Sequence, residues 1–187
     1  ALSEDERHYL RRVLRLDPGE QVEIADGSGR LFVGSLGETE VEELKVVYEE
    51  PLPAPRILFA ALIKGNRWDT LLEKVAEIGA TTVVPIEAQR SVVTIKSYKV
   101  EKKLDRWQKI LDGAARQCER LSRPSIVEPV ALEDALEGYV ADRTLLLDEV
   151  VTGATWPRWN SDDTVRLGIG PEGGWTEEER ELWLEHG

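Results

Sequence analysis

Apolar and polar residues alternate along residues 21–36, on both sides of the turn formed by residues 26–29, Asp-Gly-Ser-Gly. Alternation with a period of two around a glycine-rich turn predicts a β-hairpin. Residues 41–50, VEELKVVYEE, predict a further strand. Three prolines then fall within residues 51–55, which favours a stiff, extended linker. We therefore expect a domain boundary there, with a small β domain before it.

Beyond the linker, apolar runs typical of buried strands alternate with segments of helical periodicity. The predicted strands cover residues 57–62, 81–86, 144–149 and 165–170, with 125–130 as a weaker candidate. The predicted helices cover residues 66–79, 99–121 and 131–139, and Thr176 with Glu179 forms a capping box that opens a last helix. This order predicts an α/β domain in which helices cover both faces of a mainly parallel sheet.

Individual side chains predict where these helices begin and end, and which face is buried. Asn66 is suited to cap the first of them, and Gly79 suits its C-terminal end. In the helix over 99–121, apolar residues recur at spacings of three and four: Leu104, Trp107, Leu111, Ala114, Cys118 and Leu121. We therefore expect Cys118 to pack in the core rather than to act as a nucleophile.

Composition limits the classes of protein to be considered. The 187 residues include one cysteine, so no intramolecular disulfide is expected, which fits a reducing cytoplasm. No apolar stretch reaches the roughly 18 residues of a membrane helix, and the charged start does not resemble a signal peptide. His8 and His186 lie far apart in sequence, so we expect no metal site.

The formal net charge of −12 argues against nucleic acid as a partner until its distribution is considered. Residues 124–187 hold 15 acidic and 4 basic side chains, whereas residues 1–123 hold 21 and 20. Local patches decide phosphate binding more than the total charge does. Nucleic acid binding by the first two thirds of the chain is therefore compatible with the composition.

The segment IGPEGGW at residues 169–175 lies between a predicted strand and a predicted helix. In open parallel sheets this is the carboxyl edge, where ligands bind. The loop matches neither a Walker A motif nor GxGxxG, and Glu172 would repel a phosphate, so a neutral or cationic ligand fits better. An ordinary structural turn explains the glycines equally well.

Residues 7–15, RHYLRRVLR, hold four arginines and no acid. If this segment is helical, Tyr9, Leu10, Val13 and Leu14 can pack inward while the arginines stay outside. The alternative is a solvated helix face. Residues 89–92, QRSV, follow a predicted strand and form a weaker signal, which would bring Arg90 and Ser91 close to the glycine loop.

Arg116, Arg120 and Arg123 are spaced to share one face of the predicted helix over 99–121 and its end. Bases outnumber acids 8 to 4 over residues 99–123. Arginine suits phosphate because its planar guanidinium presents several donors. Solvation and salt bridges to Asp112 and Glu119 are the alternative interpretation.

Five segments together resemble the RsmE-type methyltransferases of small-subunit ribosomal RNA, in order and in spacing. They are HYLRRVLRLDPGE, LLEKVAEIGATTVVPI, QRSV, AARQCERLSRP and IGPEGGWTEEE. The resemblance covers nearly the whole chain. It implies transfer of a methyl group from S-adenosylmethionine to N3 of a uridine, in small-subunit ribosomal RNA or the assembled small subunit. It also implies a homodimer of the SPOUT class, and the composition predicts a cytoplasmic protein with no membrane association.

The implied architecture is a PUA-like, RNA-binding β-barrel over residues 1–50 and a SPOUT α/β trefoil-knot domain over 56–187. Family members continue after the last helix with a strand and a segment like LGxRILRxETA. We therefore expect the knot segment to be incomplete here and the chain to be truncated at both ends. Gln89 also stands where the family usually has Glu. A non-catalytic RNA-binding protein with a SPOUT-like domain is the alternative, and the missing GxGxxG pattern disfavours a nucleotide-dependent oxidoreductase.

The resemblance assigns the cofactor-binding residues by motif, and the chemistry of the transfer and the clustering of arginines predict two further sets. The cofactor would contact Leu147, Gly170, Pro171, Glu172, Gly173 and Gly174. Arg90 would stabilise charge on the uridine carbonyl oxygens, and Glu172 is the candidate base. RNA would contact His8, Arg11, Arg12, Arg15, Arg116, Arg120 and Arg123.

Overall fold

The computed structural model describes residues 2–150 and 158–186. The chain divides into two compact units. The first consists of Ala1–Leu52 with Arg120–Ser122, and the second of Pro53–Glu119 with Arg123–Gly187.

The first unit is built on an antiparallel sheet of three strands, β1 (Gln21–Ala25), β2 (Arg30–Leu36) and β3 (Val41–Glu49), in that order. The predicted hairpin is confirmed, because β1 pairs with β2 across the glycine-rich turn. Gly27 and Gly29 in that turn have φ angles of 80° and 93°, which favour glycine. The Asp26 carboxylate accepts the Ser28 N–H at 2.8 Å and so fixes the turn.

A short helix, α1 (Glu4–His8), runs into a π-helical turn over Tyr9–Val13. The prediction that Tyr9, Val13 and Leu14 pack inward is wrong, since they are 44%, 57% and 48% exposed. The reason is the wider turn, in which the Leu14 N–H donates to the Tyr9 carbonyl at 3.0 Å. A turn that closes over five residues shifts the side chains away from the faces of an α-helix.

The second unit contains five parallel strands in the order β6-β5-β4-β8-β7. The strands are β4 (Arg56–Ala61), β5 (Thr82–Ile86), β6 (Ser125–Ile126), β7 (Arg143–Leu147) and β8 (Val165–Ile169). The helices are α2 (Asn66–Glu77), α3 (Val100–Gln117), α4 (Leu132–Gly138) and α5 (Glu177–His186), with a 3₁₀ turn at Ser97–Lys99. The predicted parallel α/β organisation is confirmed.

Two buried clusters lie on opposite faces of this sheet, as successive residues of β4 show. Leu58 and Ala60 pack with Trp68, Leu72, Trp107 and Leu111 of α2 and α3. Ile57, Phe59 and Ala61 pack with Leu132 and Leu136 of α4 and with Trp175 and Trp183 near and in α5. Because side chains alternate along a strand, one fully buried strand serves both clusters.

The two ends of α2 test the capping predictions. Gly79 has a φ of 97° and lies just beyond the helix, and the Ala80 N–H donates to the Val75 carbonyl at 2.9 Å, so the predicted C-terminal signal is confirmed. The N-terminal prediction is wrong, because Gly65 is the cap and Asn66 is already helical. Gly65 has a φ of 67°, a conformation that suits glycine far better than asparagine.

The longest helix, α3, ends at Gln117 rather than at residue 121. Glu119 takes a φ of 57°, which reverses the chain direction. Leu121 then accepts a hydrogen bond from the Gly29 N–H at 3.1 Å within the first unit. The prediction that Cys118 packs in the core is therefore wrong: it caps the helix and is exposed.

A buried arginine, Arg166 on β8, ties two helix ends to the sheet. Its guanidinium donates to the carbonyl oxygens of Leu136 and Tyr139 at the end of α4, at 3.2 and 3.0 Å, and also to that of His186 at the end of α5. Burial lowers the pKa of Arg166. A positive charge is favourable at the C-terminus of a helix, so one side chain fixes both α4 and α5.

Candidate functional site

The carboxyl ends of β4, β5, β7 and β8 lie at one edge of the sheet because these strands are parallel. Four segments leave the sheet there: residues 62–67, 87–91, 148–150 and 170–175. The last is the glycine loop, GPEGGW, at the position that the sequence predicts. Ligands bind at such edges in open α/β sheets.

The glycine loop is closed by a hydrogen bond from the Gly174 N–H to the Pro171 carbonyl at 2.9 Å. Pro171 and Gly174 are buried, whereas Glu172 and Gly173 are exposed at the tip. Gly174 has a φ of 69°, in the region that side chains disfavour. The loop therefore presents its backbone and one carboxylate to the surroundings.

Neighbouring side chains occupy the space that a Cβ would need at each glycine. A Cβ on Gly170 would lie 3.0 Å from Trp175 Nε1, and one on Gly173 would lie 3.2 Å from Arg90 Cβ. On Gly174 it would overlap a carboxylate oxygen of Glu149. Packing within the protein itself therefore disfavours a side chain at these positions, a reason for glycine that sequence reasoning did not separate from close approach of a ligand.

Arg90 follows β5 and holds the loop from one side. Its Nη1 donates to the carbonyl oxygens of Gly173 and Trp175 at 3.0 and 3.3 Å. The next residue, Ser91, donates from Oγ to the Leu62 carbonyl at 3.3 Å, which joins the segments that follow β4 and β5. The structure thus brings the QRSV segment against the glycine loop.

Glu179 is 3% exposed and joins two parts of the site. Its carboxylate accepts the Thr176 N–H at 2.9 Å, and its own N–H donates to Thr176 Oγ1 at 3.2 Å, so the predicted capping box is confirmed. The second carboxylate oxygen accepts the Gln89 N–H at 2.8 Å. The start of α5 is therefore fixed directly to the segment that carries Arg90.

Charged and apolar groups surround the loop. Glu172 forms an ion pair with Arg67 at 3.6 Å, and Asp148 forms one with Arg180 at 2.5 Å. The hydrogen bond from Arg180 lowers the pKa of Asp148. Leu147, 46% exposed, pairs with Ile169 immediately before the loop. Within residues 2–150 and 158–186, no group of three His, Cys, Asp or Glu side chains could hold a metal.

Sequence reasoning missed Arg67 and Asp148. A usable signal existed for both, since Arg67 comes shortly after β4 and Asp148 directly after β7, at the carboxyl edge. The ion pairs themselves could not be inferred, because Glu172, the partner of Arg67, and Arg180, the partner of Asp148, lie far away in sequence.

The residues predicted to bind RNA are spread over both units. In the first unit His8, Arg12 and Arg15 are exposed, and Arg11 donates to the Gly37 carbonyl at 2.8 Å. The prediction that the second set of arginines shares a helix face is wrong, because α3 ends at Gln117. Arg116 remains exposed on α3, Arg120 belongs to the first unit, and Arg123 pairs with Asp112 at 2.9 Å.

The ion pair of Arg123 supports the salt-bridge interpretation for that residue. Burial raises the pKa of Asp112, but hydrogen bonds from Arg123 and Gln108 outweigh it and leave the pKa lowered. A guanidinium held by a carboxylate is less available for phosphate than a free one.

Comparison with known proteins decides the family. Residues 50–187 match the model of an RNA methyltransferase domain, and residues 2–46 match that of an RNA methyltransferase PUA domain. The chain belongs to the RNA methyltransferase family. The predicted fold class, a PUA-like N-terminal domain with a SPOUT-type α/β domain, is confirmed by these matches and by the structural neighbours.

Similar proteins include a ribosomal RNA small subunit methyltransferase E of Synechocystis, 33% identical over 96% of this chain. The chain spans 61% of the length of that relative. A solved structure from Legionella pneumophila, assigned as a methyltransferase with bound SAM, has a TM-score of 0.83 and 29% identity, covering 100% of this chain and 79% of that one. The ribosomal RNA small subunit methyltransferase E of Neisseria gonorrhoeae, bound to S-adenosylmethionine, has a TM-score of 0.81 and 26% identity, covering 99% and 79%.

No described helix has the length and apolar character needed to cross a membrane.

Proposed function

We propose that this protein methylates small-subunit ribosomal RNA at N3 of a uridine, with S-adenosylmethionine as the methyl donor. The observation that carries this proposal is the glycine loop of an RNA methyltransferase domain, held at the carboxyl edge of the sheet by Arg90. In this proposal, residues 1–50 form the domain that binds RNA and residues 56–187 form the domain that transfers the methyl group. Small-subunit ribosomal RNA, free or in the assembled subunit, is the proposed substrate.

The residues at the edge fit a cofactor that is both cationic and partly apolar. Leu147 offers an exposed apolar side chain, and the loop from Gly170 to Gly174 offers backbone groups. Glu149 packs against Gly174, and Glu172 lies at the tip, so two carboxylates can favour a positive ligand. S-adenosylmethionine, when bound, supplies an electrophilic methyl group on a positively charged sulfur.

Arg90 and Glu172 have distinct proposed roles. The Arg90 guanidinium stabilises the negative charge that develops on the uracil carbonyl oxygens when N3 loses its proton. Its two hydrogen bonds to the loop fix its position before the substrate arrives. Glu172, which is paired with Arg67 at 3.6 Å, is the candidate acceptor of the N3 proton. Holding the uridine in line with the methyl group supplies much of the acceleration.

We propose that the protein acts as a cytoplasmic homodimer with a trefoil knot in its second domain. His8, Arg11, Arg12 and Arg15 in the first unit, with Arg116, Arg120 and Arg123, are the proposed contacts to RNA phosphate.

Isothermal titration calorimetry of the full-length protein with S-adenosylmethionine tests the cofactor site. Leu147→Asn removes an exposed apolar contact and should weaken binding by about tenfold, because burying a leucine side chain stabilises by roughly 1.5–3 kcal/mol. Gly173→Val should also weaken it, because the new side chain displaces Arg90 or the loop. Gly138→Val is the control, since a Cβ there meets nothing within 4 Å. Unchanged affinity in both site variants would remove the loop from the cofactor site, and RNA binding without cofactor binding would favour the non-catalytic alternative.

A further inference from the structure

The exposed side of α3 carries a row of four bases, of which sequence reasoning singled out only Arg116. Helical periodicity places them opposite the buried Trp107 and Leu111 and keeps the acids Glu101, Asp105 and Asp112 on one flank. All four bases are exposed, at spacings of four, three and seven residues: Lys102, Arg106, Lys109 and Arg116. We call these four residues the basic row.

Most side chains of the basic row are not held in ion pairs. Within the part of the chain that the structure describes, Lys102, Lys109 and Arg116 form no ion pair within 4 Å, and Arg106 pairs with Asp69. Arg116 is still close enough to Asp112 to help lower the pKa of that carboxyl. Gly113 lies in the same row, where an added Cβ would meet nothing, so the surface is open between Lys109 and Arg116. At 1.5 Å per residue the row extends about 21 Å along the helix.

The N-terminal end of the basic row opens into a cavity of about 330 Å³ between α3 and the start of α2. Lys103 and Arg106 line it from α3, and Lys64, Gly65 and Asn66 line it from the segment after β4. Gly65 caps α2 without a side chain, and Asp69 in the first turn of α2, which also lines the cavity, is paired with Arg106.

The cavity adjoins the candidate site through the chain itself. Arg67 follows Asn66 directly and pairs with Glu172 of the glycine loop. Basic groups therefore continue from Arg116 along α3, through the cavity, to the loop. Tyr98, 73% exposed with Lys99 Nζ 5.6 Å from its ring centroid, adds an aromatic face near the same end of α3.

We propose that the basic row is a track for the RNA backbone that leads the target nucleotide to the glycine loop; this rests on the proposed function. Phosphates bind lysine and arginine side chains without regard to base sequence, and an exposed aromatic ring can stack on a base. A broad anionic surface such as a membrane would also meet Glu101 and Asp105 on the flank of the row. A single strand is narrow enough to follow the bases and avoid these acids.

The test is the salt dependence of RNA binding by the full-length protein. In the test variant, Lys102→Gln, Lys109→Gln and Arg116→Gln are combined. In the control, three exposed bases elsewhere in the second unit are replaced: Lys74→Gln, Arg143→Gln and Arg158→Gln. Both variants lose the same net charge. Binding to a single-stranded fragment of small-subunit ribosomal RNA is measured between 50 and 200 mM salt, with S-adenosylmethionine affinity as the second readout.

Each lost phosphate contact lowers the log–log salt slope by about 0.7 for a single strand, so the test variant should lose about 2 from its slope. The control should keep the slope of the unaltered protein, and all three proteins should bind S-adenosylmethionine equally. An equal slope in test variant and control would show that the basic row is only a solvated face. If the unaltered protein binds S-adenosylmethionine but not RNA, the track is refuted while the cofactor site stands; loss of cofactor binding in the unaltered protein would instead refute the proposed function.

Discussion

Replacement of the buried carboxylate Glu179 by alanine should destabilise the protein by about 3 kcal/mol. The structure supplies the magnitude: Glu179 accepts two backbone N–H groups, those of Thr176 and Gln89, at 2.9 and 2.8 Å. A hydrogen bond to a charged group contributes roughly 1.5–3 kcal/mol, and water replaces part of what is lost. The variant should also free the segment before Arg90 and raise the KM for S-adenosylmethionine.

Urea unfolding followed by circular dichroism measures this change. Glu181→Ala is the matched control, since Glu181 is an exposed glutamate of the same helix and an exposed substitution costs within about 0.5 kcal/mol. A Glu179→Ala variant as stable as Glu181→Ala would refute the idea that this carboxylate fastens the start of α5 to the segment after β5.

Two further predictions concern the surroundings of the loop. Asp148→Asn should lower the free energy of unfolding at pH 7, because the hydrogen bond from Arg180 lowers the pKa of Asp148 in the folded state. The stabilisation that the ionised Asp148 contributes is complete above its unfolded pKa of about 3.9. It is lost as the pH falls through the lower pKa of the folded state. Urea unfolding measures the difference in the free energy of unfolding between the variant and the unaltered protein, and this difference should be smaller at pH 3 than at pH 7. Gly174→Ala should cost about 1–2 kcal/mol by the same assay, since its φ is 69° and the Glu149 carboxylate must move aside.

Each of these two predictions has a contrary result. A gap for Asp148→Asn that stays constant or widens at pH 3 would show that its pairing with Arg180 does not lower the pKa. For Gly174→Ala the reference is Gly138→Ala, where a Cβ meets open space. Equal stability of the two alanine variants would show that the loop does not need its positive φ.

Local patterns were enough to predict the second unit. Its strands are short apolar runs, its helices carry apolar residues every three or four positions, and Gly79 marks a helix end through its backbone conformation. The capping box of Thr176 and Glu179 was readable because its partners are three residues apart. Each of these signals arises from residues that are close together in the chain, so each could be recognised from the sequence alone.

The errors arose where distant contacts or unusual turns decide the structure. α3 ends at Gln117 because Glu119 adopts a positive φ. The usual sequence signal for this conformation is a glycine, and there is none at this position. The chain beyond it pairs with the turn at Gly29, about ninety residues earlier, which local periodicity cannot reveal. The π-helical turn at Tyr9–Val13 likewise rotated side chains that an α-helix would have buried.

For the candidate site, the sequence predicted the position of the glycine loop but not the contacts that hold it in place. Carried-over motifs pointed to Arg90 and the glycines, and the structure shows that these residues contact one another. The second role of Glu179, as acceptor for Gln89, could not be inferred because the two residues lie on different elements. The same is true of the ion pair between Arg67 and Glu172.

Mapping of the methyl group tests the proposed activity most directly. The full-length protein is incubated with labelled S-adenosylmethionine and small ribosomal subunits that lack the modification, and the labelled nucleotide is then identified by nuclease digestion and mass spectrometry. Our account predicts one labelled uridine methylated at N3, with incorporation reduced at least about a hundredfold by Arg90→Ala, as for the loss of one oxyanion-stabilising donor. Label on another atom or base would contradict the uridine-N3 assignment, and no incorporation by a protein that binds the RNA would contradict the enzymatic function.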